Sequence, residues 1–288
     1  MRFLVTGARG FLGWRTATLL RERGHEVVAL ARPGGRRRSL GDELDPVEID
    51  AGDPRAVGLL DGCDAVLHFA GVPDPTKANA DPAEAVRANA GTTLNLLEGA
   101  AGRGVGLVYS STVRAAVDPP PDAYAISKRL GELACALHPA RSAVVRLTSV
   151  FGPGQLANEG ATGAVAVFAA RALDGDPIVI PGNPERTRDF VYADDLAPAL
   201  ESILLGGRWG ETFTLASGSA VSLRRVAELV VEAAGSSSPI ETPGGRLAHG
   251  EDESYEAVSS PGLAFTPRPL AEGIQLYVDW LRRHTARS

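Results

Sequence analysis

The sequence predicts an α/β fold built on a doubly wound parallel sheet, followed by a smaller mixed α/β lobe. Three observations carry the prediction. Short apolar runs alternate with amphipathic stretches over the first 150 residues, a glycine triplet follows the first apolar run, and the character of the chain changes after Val150. The apolar runs are Phe3 to Thr6, Val27 to Ala31, Val47 to Ile49, Ala65 to Phe69, Val105 to Ser110 and Ser142 to Leu147. Runs without polar alternation belong to strands buried on both faces, as in parallel sheets. Helical patterns fall between them at about 11–23, 54–60, 83–102 and 122–138. Strand and helix in alternation are the mark of a doubly wound sheet.

Beyond residue 150 the turn cluster Phe151-Gly152-Pro153-Gly154 opens a loop-like stretch to 163. Helices are expected at about 164–174, 194–205, 222–234 and 270–283, with short strands near 178–180 and 212–215. The stretch 235–262 is rich in Ser, Gly, Pro and Glu and reads as a loop or lid. The expected division is a first domain at 1–150 and a second lobe at 151–288, with a soft boundary that a later strand or helix returning to the first sheet would make discontinuous, and a substrate between them.

Bulk composition narrows the function. The 288 residues are 44% hydrophobic and 22% charged, which suits a globular protein. A formal net charge of -6 offers no basic face for nucleic acid. No apolar run approaches the roughly 18 residues of a membrane span, and no leader pattern precedes the first strand. Cys63 and Cys135 have no metal-ligand spacing and read as plain thiols, so no metal is expected. A cytoplasmic location is expected from these features.

The glycine triplet is Gly7-Ala8-Arg9-Gly10-Phe11-Leu12-Gly13. Gly7 permits the tight turn, Gly10 a close approach to a pyrophosphate, and Gly13 the packing of helix on strand. The helix start at Phe11 and Leu12 then offers N–H groups to phosphate. This is the phosphate loop of a Rossmann-type dinucleotide site, so the implied cofactor is NADP or NAD. An acid at the end of the second strand would bind the ribose 2′-OH of NAD. Here that strand ends Ala29-Leu30-Ala31-Arg32. Arg32 and Arg9, with Arg36 to Arg38, could hold a 2′-phosphate, which favours NADP. Asp50 and Ala51, after the third strand, are placed toward adenine. Phe69, Ala70 and Gly71 would line the floor under its ribose, and His68 reads as structural.

Tyr124-Ala125-Ile126-Ser127-Lys128 lies on the helix after the fifth strand, and a spacing of four puts phenol and ammonium on one face. An ammonium beside a phenol lowers its pKa, so the pair can exchange a proton with a hydroxyl or carbonyl while hydride moves to or from nicotinamide. Ser110-Ser111-Thr112 ends the fifth strand; Thr112, then Ser111, are the hydroxyls expected to position the substrate oxygen.

With these motifs in view, the chain resembles the extended short-chain dehydrogenase/reductase family, and within it the nucleotide-sugar epimerases, dehydratases and ketoreductases. The resemblance spans nearly the whole chain. It includes Asn89-Ala90-Gly91-Thr92, Arg146-Leu147 through Gly154, Arg188-Asp189-Phe190-Val191-Tyr192-Ala193-Asp194-Asp195, and Leu270-Ala271-Glu272-Gly273-Ile274. It implies a cofactor contact at Asn89 and nucleotide-sugar contacts at Ser149, Arg188 and Arg246. Ser149 stands where relatives have asparagine. It further implies a homodimer formed through the helices at 83–102 and 122–138. Tyr124 follows Thr112 by only 12 positions, so the connecting loop is short. Val113 and Arg114 stand where 4,6-dehydratases carry an acidic pair, which argues against dehydration. The expected activity is nucleotide-sugar epimerisation, with NADPH-dependent reduction of a keto-deoxysugar nucleotide as the alternative. A dinucleotide-binding regulator without catalysis is a third reading, opposed by the complete hydroxyl, Tyr and Lys set.

Overall fold

A computed structural model of the protein describes residues 1–34, 44–157, 163–245, 247 and 254–285. The chain divides into two units. The first holds Met1–Leu147, Leu196–Thr214 and Ser260–Phe265; the second holds Thr148–Asp195, Leu215–Ser259 and Thr266–Ser288.

The first unit is built on strands β1 (Arg2–Thr6), β2 (Glu26–Ala31), β3 (Val47–Glu48), β4 (Ala65–His68), β5 (Gly106–Thr112) and β6 (Ser142–Leu147). Their pairings are parallel. Among the described residues they form a seven-stranded sheet with a late strand, Thr212–Leu215, in the order β10-β6-β5-β4-β1-β2-β3, where β10 denotes that late strand. The order reverses beside β1. In such sheets ligands bind at the carboxyl ends of the strands near the reversal.

Helix α1 (Phe11–Glu22) follows β1, and α2 (Pro75–Ala80) and α3 (Pro82–Val86) follow β4. A π-turn over Arg87–Gly91 joins α3 to α4 (Thr92–Ala101). The helix expected over 83–102 is therefore present, with a π-turn at Arg87–Gly91 in its course. Helix α5 (Ala123–Leu137) follows β5. Its N-cap is Asp122, whose carboxylate accepts from Ala125 N at 2.7 Å. That bond satisfies one of the donors a helix start leaves open.

The core of this unit lies between the sheet and its helices, around Leu4, Leu30, Val66, Leu96, Leu97, Leu107 and Tyr109. Helix α5 lies close on β5 because Gly131 has no side chain. A Cβ there would meet the Tyr109 hydroxyl at 2.4 Å.

The second unit carries β7 (Ser149–Phe151), α6 (Ala164–Asp174), β8 (Ile178–Pro181) and β9 (Thr187–Tyr192). Helix α7 (Leu196–Leu205) returns to the first unit with β10. The second unit continues with β11 (Ala220–Ser222), α8 (Leu223–Ala234), β12 (Ile240–Gly244) and α9 (Leu270–Thr285). Its strands pair as β11-β9-β7 and as β12-β8. Four of these strands were not anticipated: β7, β9, β11 and β12. The stretch read as a loop or lid from 235 begins with the edge strand β12.

The Gly131 contact yields a stability prediction. Gly131→Ala forces a methyl into the Tyr109 ring and should destabilise by about 1–3 kcal/mol despite alanine's better helix propensity. Urea unfolding checks it; a variant at least as stable as the parent would mean that the helix can shift without cost.

Candidate functional site

The glycine turn is set by backbone crowding. Gly7 has φ +70, and a Cβ on it would lie 2.8 Å from Ala70 N. A Cβ on Gly13 would lie 2.3 Å from Gly7 O, and one on Gly10 would lie 3.0 Å from the same oxygen. The turn thus packs too closely on its own backbone and on the Phe69–Ala70 segment to carry side chains at these positions. The N-cap of α1 is Gly10, with no side-chain hydrogen bond, so its first N–H groups face outward from a capless start. These features fit a pyrophosphate held on backbone amides. Phe11 and Leu12, at that start, are half-buried.

Thr6, at the end of β1, was not anticipated. Its buried hydroxyl accepts from Phe69 N and Ala70 N, both at 3.1 Å, and lies 2.7 Å from His68 Nδ1. With both N–H groups accepted, the hydroxyl proton goes to Nδ1. His68 Nε2 then donates to Thr92 Oγ1 at 3.3 Å, and Thr92 donates to Ala88 O at 2.7 Å. Burial, aided by the Lys128 charge, pushes the His68 pKa down to about 3. The imidazole is neutral and ties β1, β4 and the π-turn together. Only its neighbour Gly7 pointed to Thr6 in the sequence.

Gly71 has φ +151, and a Cβ on it would meet Asn89 Oδ1 at 2.1 Å. The Asn89 amide is fully buried. It accepts from Val72 N at 2.8 Å and donates to Val72 O at 3.1 Å and to Ser127 Oγ at 2.8 Å. Asn89 therefore braces the segment after β4 against α5, instead of presenting its amide outward as its expected cofactor contact requires. Asp50 is exposed and accepts from Gly52 N at 2.8 Å. Ala51 is buried, and its carbonyl accepts from Asn95 at 2.8 Å.

At the end of β2, Arg32 is exposed. Arg9 does not stand there as a separate cation. Its guanidinium donates to Arg32 O at 3.4 Å and is ion-paired with Glu48 on β3. The case for NADP thus loses one of its two described arginines, while Arg36 to Arg38 lie outside the described residues.

The three hydroxyls ending β5 diverge, because successive residues of a strand face opposite sides. Ser111 is directed at Glu132, donating at 2.5 Å, and Glu132 in turn accepts from Arg146 at 2.6 Å. Ser111 is buried in this ion-pair network, so its expected role on the substrate oxygen has no geometry to support it. Thr112, on the other side, stands near the Tyr124 phenol and favours its ionised form. It also accepts from Arg114 N at 3.3 Å. Ser110 shares a face with Val108, and with Phe69, Val145, Leu147, Leu196 and Leu200 they line a small apolar cavity between the sheet and α7.

Tyr124 and Lys128 occupy one face of α5, but they are not directly coupled. Lys128 Nζ donates to Ser110 O at 2.8 Å. Burial lowers its pKa to about 8, against the pull of Glu132. Burial pushes Tyr124 up to about 12; the Thr112 hydroxyl and the Arg114 charge pull it back, and Asp122 opposes them. The expectation that Lys128 lowers the phenol pKa is therefore not met, because the ammonium is turned to the Ser110 carbonyl. Arg114 is the cation acting on the phenol. It is ion-paired with the fully buried side chain of Asp122, so the N-cap of α5 also holds Arg114.

In the second unit, Ser149 lies on β7, half-buried. Arg188 lies on β9, with its guanidinium 4.8 Å from the Tyr255 ring centre and donating to Thr187 O at 2.9 Å. Tyr255 was not anticipated. Asp189 accepts from Ser217 N, Ser217 Oγ and Gly218 N, each at 2.8 Å, which fixes the turn before β11. Arg246 lies outside the described residues.

A parallel doubly wound sheet with a glycine cradle after β1, and a hydroxyl, Tyr and Lys set on β5 and α5, defines an enzyme of the extended short-chain dehydrogenase/reductase type. The chain belongs to the NAD dependent epimerase/dehydratase family, whose sequence model matches residues 3–216. It is 28% identical to a dTDP-glucose 4,6-dehydratase of Streptomyces niveus, over 99% of this chain and 94% of that protein. It is 29% identical to a dTDP-4-dehydro-6-deoxy-D-allose reductase of Streptomyces bikiniensis, over 98% of this chain and 96% of that protein. A Thermus thermophilus UDP-glucose 4-epimerase solved in complex with NAD superposes with a TM-score of 0.81 at 26% identity, covering 98% of this chain and 99% of that one. Among the described residues no helix is long and apolar enough to cross a membrane.

The Lys128 environment makes stability depend on pH. Its folded pKa, about 8, lies below the ordinary 10.5. The unfolded chain then binds the proton more readily, and the penalty on the folded state is full below pH 8 and vanishes above 10.5. Lys128→Met should therefore be more stable than the parent at pH 7 by roughly 1–3 kcal/mol. That gain should shrink between pH 8 and 10.5, as read from denaturant midpoints. A gain that is flat with pH, or a loss at pH 7, would contradict the assigned burial.

Proposed function

We propose that the protein catalyses NAD(P)-dependent oxidoreduction at a hydroxyl or keto carbon of a nucleotide sugar, with epimerisation as the net reaction. The observation that carries this reading is the meeting of Thr112 and Tyr124 beside the lysine-bearing face of α5, at the carboxyl ends of β4 to β6. The dinucleotide, when bound, supplies hydride exchange at its nicotinamide ring. Gly7, Gly10, Phe11, Leu12 and Gly13 would hold its pyrophosphate, with Ala51, Phe69, Ala70 and Gly71 along its adenosine half. Thr112 holds the substrate oxygen by a hydrogen bond, and Tyr124 gives or takes the proton at that oxygen. Lys128 fixes the α5 face through Ser110 O. Ser149 and Arg188 are the candidate contacts to the sugar nucleotide implied by the resemblance, with Arg246 a third. The free thiols Cys63 and Cys135 suit a reducing, cytoplasmic compartment.

Net reduction of a keto-deoxysugar nucleotide is the second reading, and one observation favours it. A phenol pushed up to about 12 is protonated at neutral pH and serves as a proton donor to a carbonyl. Dehydration is disfavoured, because Val113 and Arg114 supply no acid and the nearby Asp122 is committed to Arg114 and Ala125 N.

We also propose a homodimer. Ile126, Leu130, Leu133 and Leu137 form an exposed stripe along α5, with Leu94 exposed on α4. An apolar helical stripe of this kind is a self-complementary surface for a two-fold contact.

Tyr124→Phe should lose at least about 100-fold in turnover while keeping dinucleotide affinity. Unchanged turnover would remove the phenol from the mechanism. In the parent, turnover of a nucleotide sugar without net consumption of added NADH or NADPH marks an epimerase, and stoichiometric consumption marks a reductase. Leu133→Glu should convert a dimer to a monomer in sedimentation equilibrium. A parent protein that sediments as a monomer would refute the dimer.

A further inference from the structure

Strand β3 is only two residues long, yet it sets a charge at a decisive place. It pairs parallel with β2 so that Ala31 stands beside Glu48. Ile49 N donates to Ala31 O at 3.0 Å and holds the chain just past Glu48. The Glu48 carboxylate therefore lies at the carboxyl end of β2, one strand over from where an acid on β2 itself would read the adenosine ribose. Arg9 reaches the same spot from the glycine turn. It is almost fully buried, 9% exposed in its side chain, while Glu48 is 46% exposed. The pair thus presents its carboxylate outward and its guanidinium inward.

Resting on the dinucleotide-site reading above, we propose that Glu48 supplies from β3 the ribose-reading carboxylate that the end of β2 lacks, and that its ion pair with Arg9 sets the protein for NAD over NADP. A ribose 2′-hydroxyl donates to a carboxylate that keeps its arginine, since a carboxylate accepts from several donors at once. A 2′-phosphate is an acceptor with close to two negative charges. It must either sit against Glu48 or displace Glu48 from Arg9. Arg32 pulls the other way, but it is an exposed charge, and exposed charges are screened and weak. The arginine-rich sequence around the end of β2 thus leans toward NADP only as long as the neighbouring strand is left out.

Calorimetric titration of the purified protein with NAD and with NADP tests the proposal without reference to turnover. The parent should bind NAD at least about 10-fold more tightly, the scale of one charge-assisted hydrogen bond. Glu48→Gln should shift the NAD-to-NADP affinity ratio toward NADP by about 10-fold or more, and Arg9→Met added to it should remove the gain in NADP affinity. Glu48 is partly exposed, so its replacement leaves the core untouched. A parent that prefers NADP, or a ratio unchanged in Glu48→Gln with both dinucleotides bound, would overturn the Glu48 assignment alone. Failure of the parent to bind either dinucleotide would overturn the dinucleotide site and the proposal with it.

Discussion

The close approach of α5 to β5, possible because Gly131 leaves room for the Tyr109 ring, decides where the candidate catalytic groups stand. It places Lys128 Nζ on the carbonyl of Ser110 and the Tyr124 phenol at the Thr112 hydroxyl. Asp122 then locks the start of the helix by capping Ala125 N and pairing with Arg114. Arg114 N is held in turn by Thr112. Strand end, connecting turn and helix start are joined by one chain of hydrogen bonds. A short connection of this kind leaves little freedom to the residues at the site.

Much of this was legible in the sequence, because it depends on local pattern. The continuous apolar runs identified β1, β2, β4, β5 and β6, and the glycine spacing identified the turn before α1. The four-residue spacing of Tyr124 and Lys128 settled their common helix face. What escaped depends on partners distant along the chain. β9 hides in Thr187–Tyr192, where Arg188 and Asp189 break the apolar run, and Asp189 is satisfied only by the far turn at Ser217 to Ser219. β12 is an exposed edge strand in a Gly- and Pro-containing stretch, so its composition resembles a loop. Ser111 looked equivalent to Thr112 until the strand's alternation directed it to Glu132. Thr6, Asn89 and Glu48 act through bonds spanning 17 to 64 residues, which no local window contains.

Electrostatics at the site is governed more by burial than by neighbours. Burial holds His68 neutral, lowers Lys128 and raises Tyr124, in each case as the largest cause. A lysine four residues from a tyrosine on one helix face was expected to act through its charge on the phenol. It acts instead through the strand backbone, and an arginine from the β5–α5 turn supplies the field. The same lesson holds at the other end of the sheet, where Glu48 answers Arg9. In both places the residue that matters sits on a neighbouring segment, and reading one strand or helix by itself assigns the wrong partner.

In the proposed reaction, hydride moves between a nicotinamide and a sugar carbon while Tyr124 handles the proton. The most direct measurement is the absorbance of reduced nicotinamide when the protein, saturated with oxidised dinucleotide, is mixed with a panel of nucleotide sugars. At least one member of the panel should produce a rapid rise that Thr112→Val slows and Tyr124→Phe nearly abolishes. No rise with any nucleotide sugar, with the dinucleotide demonstrably bound, would contradict the account.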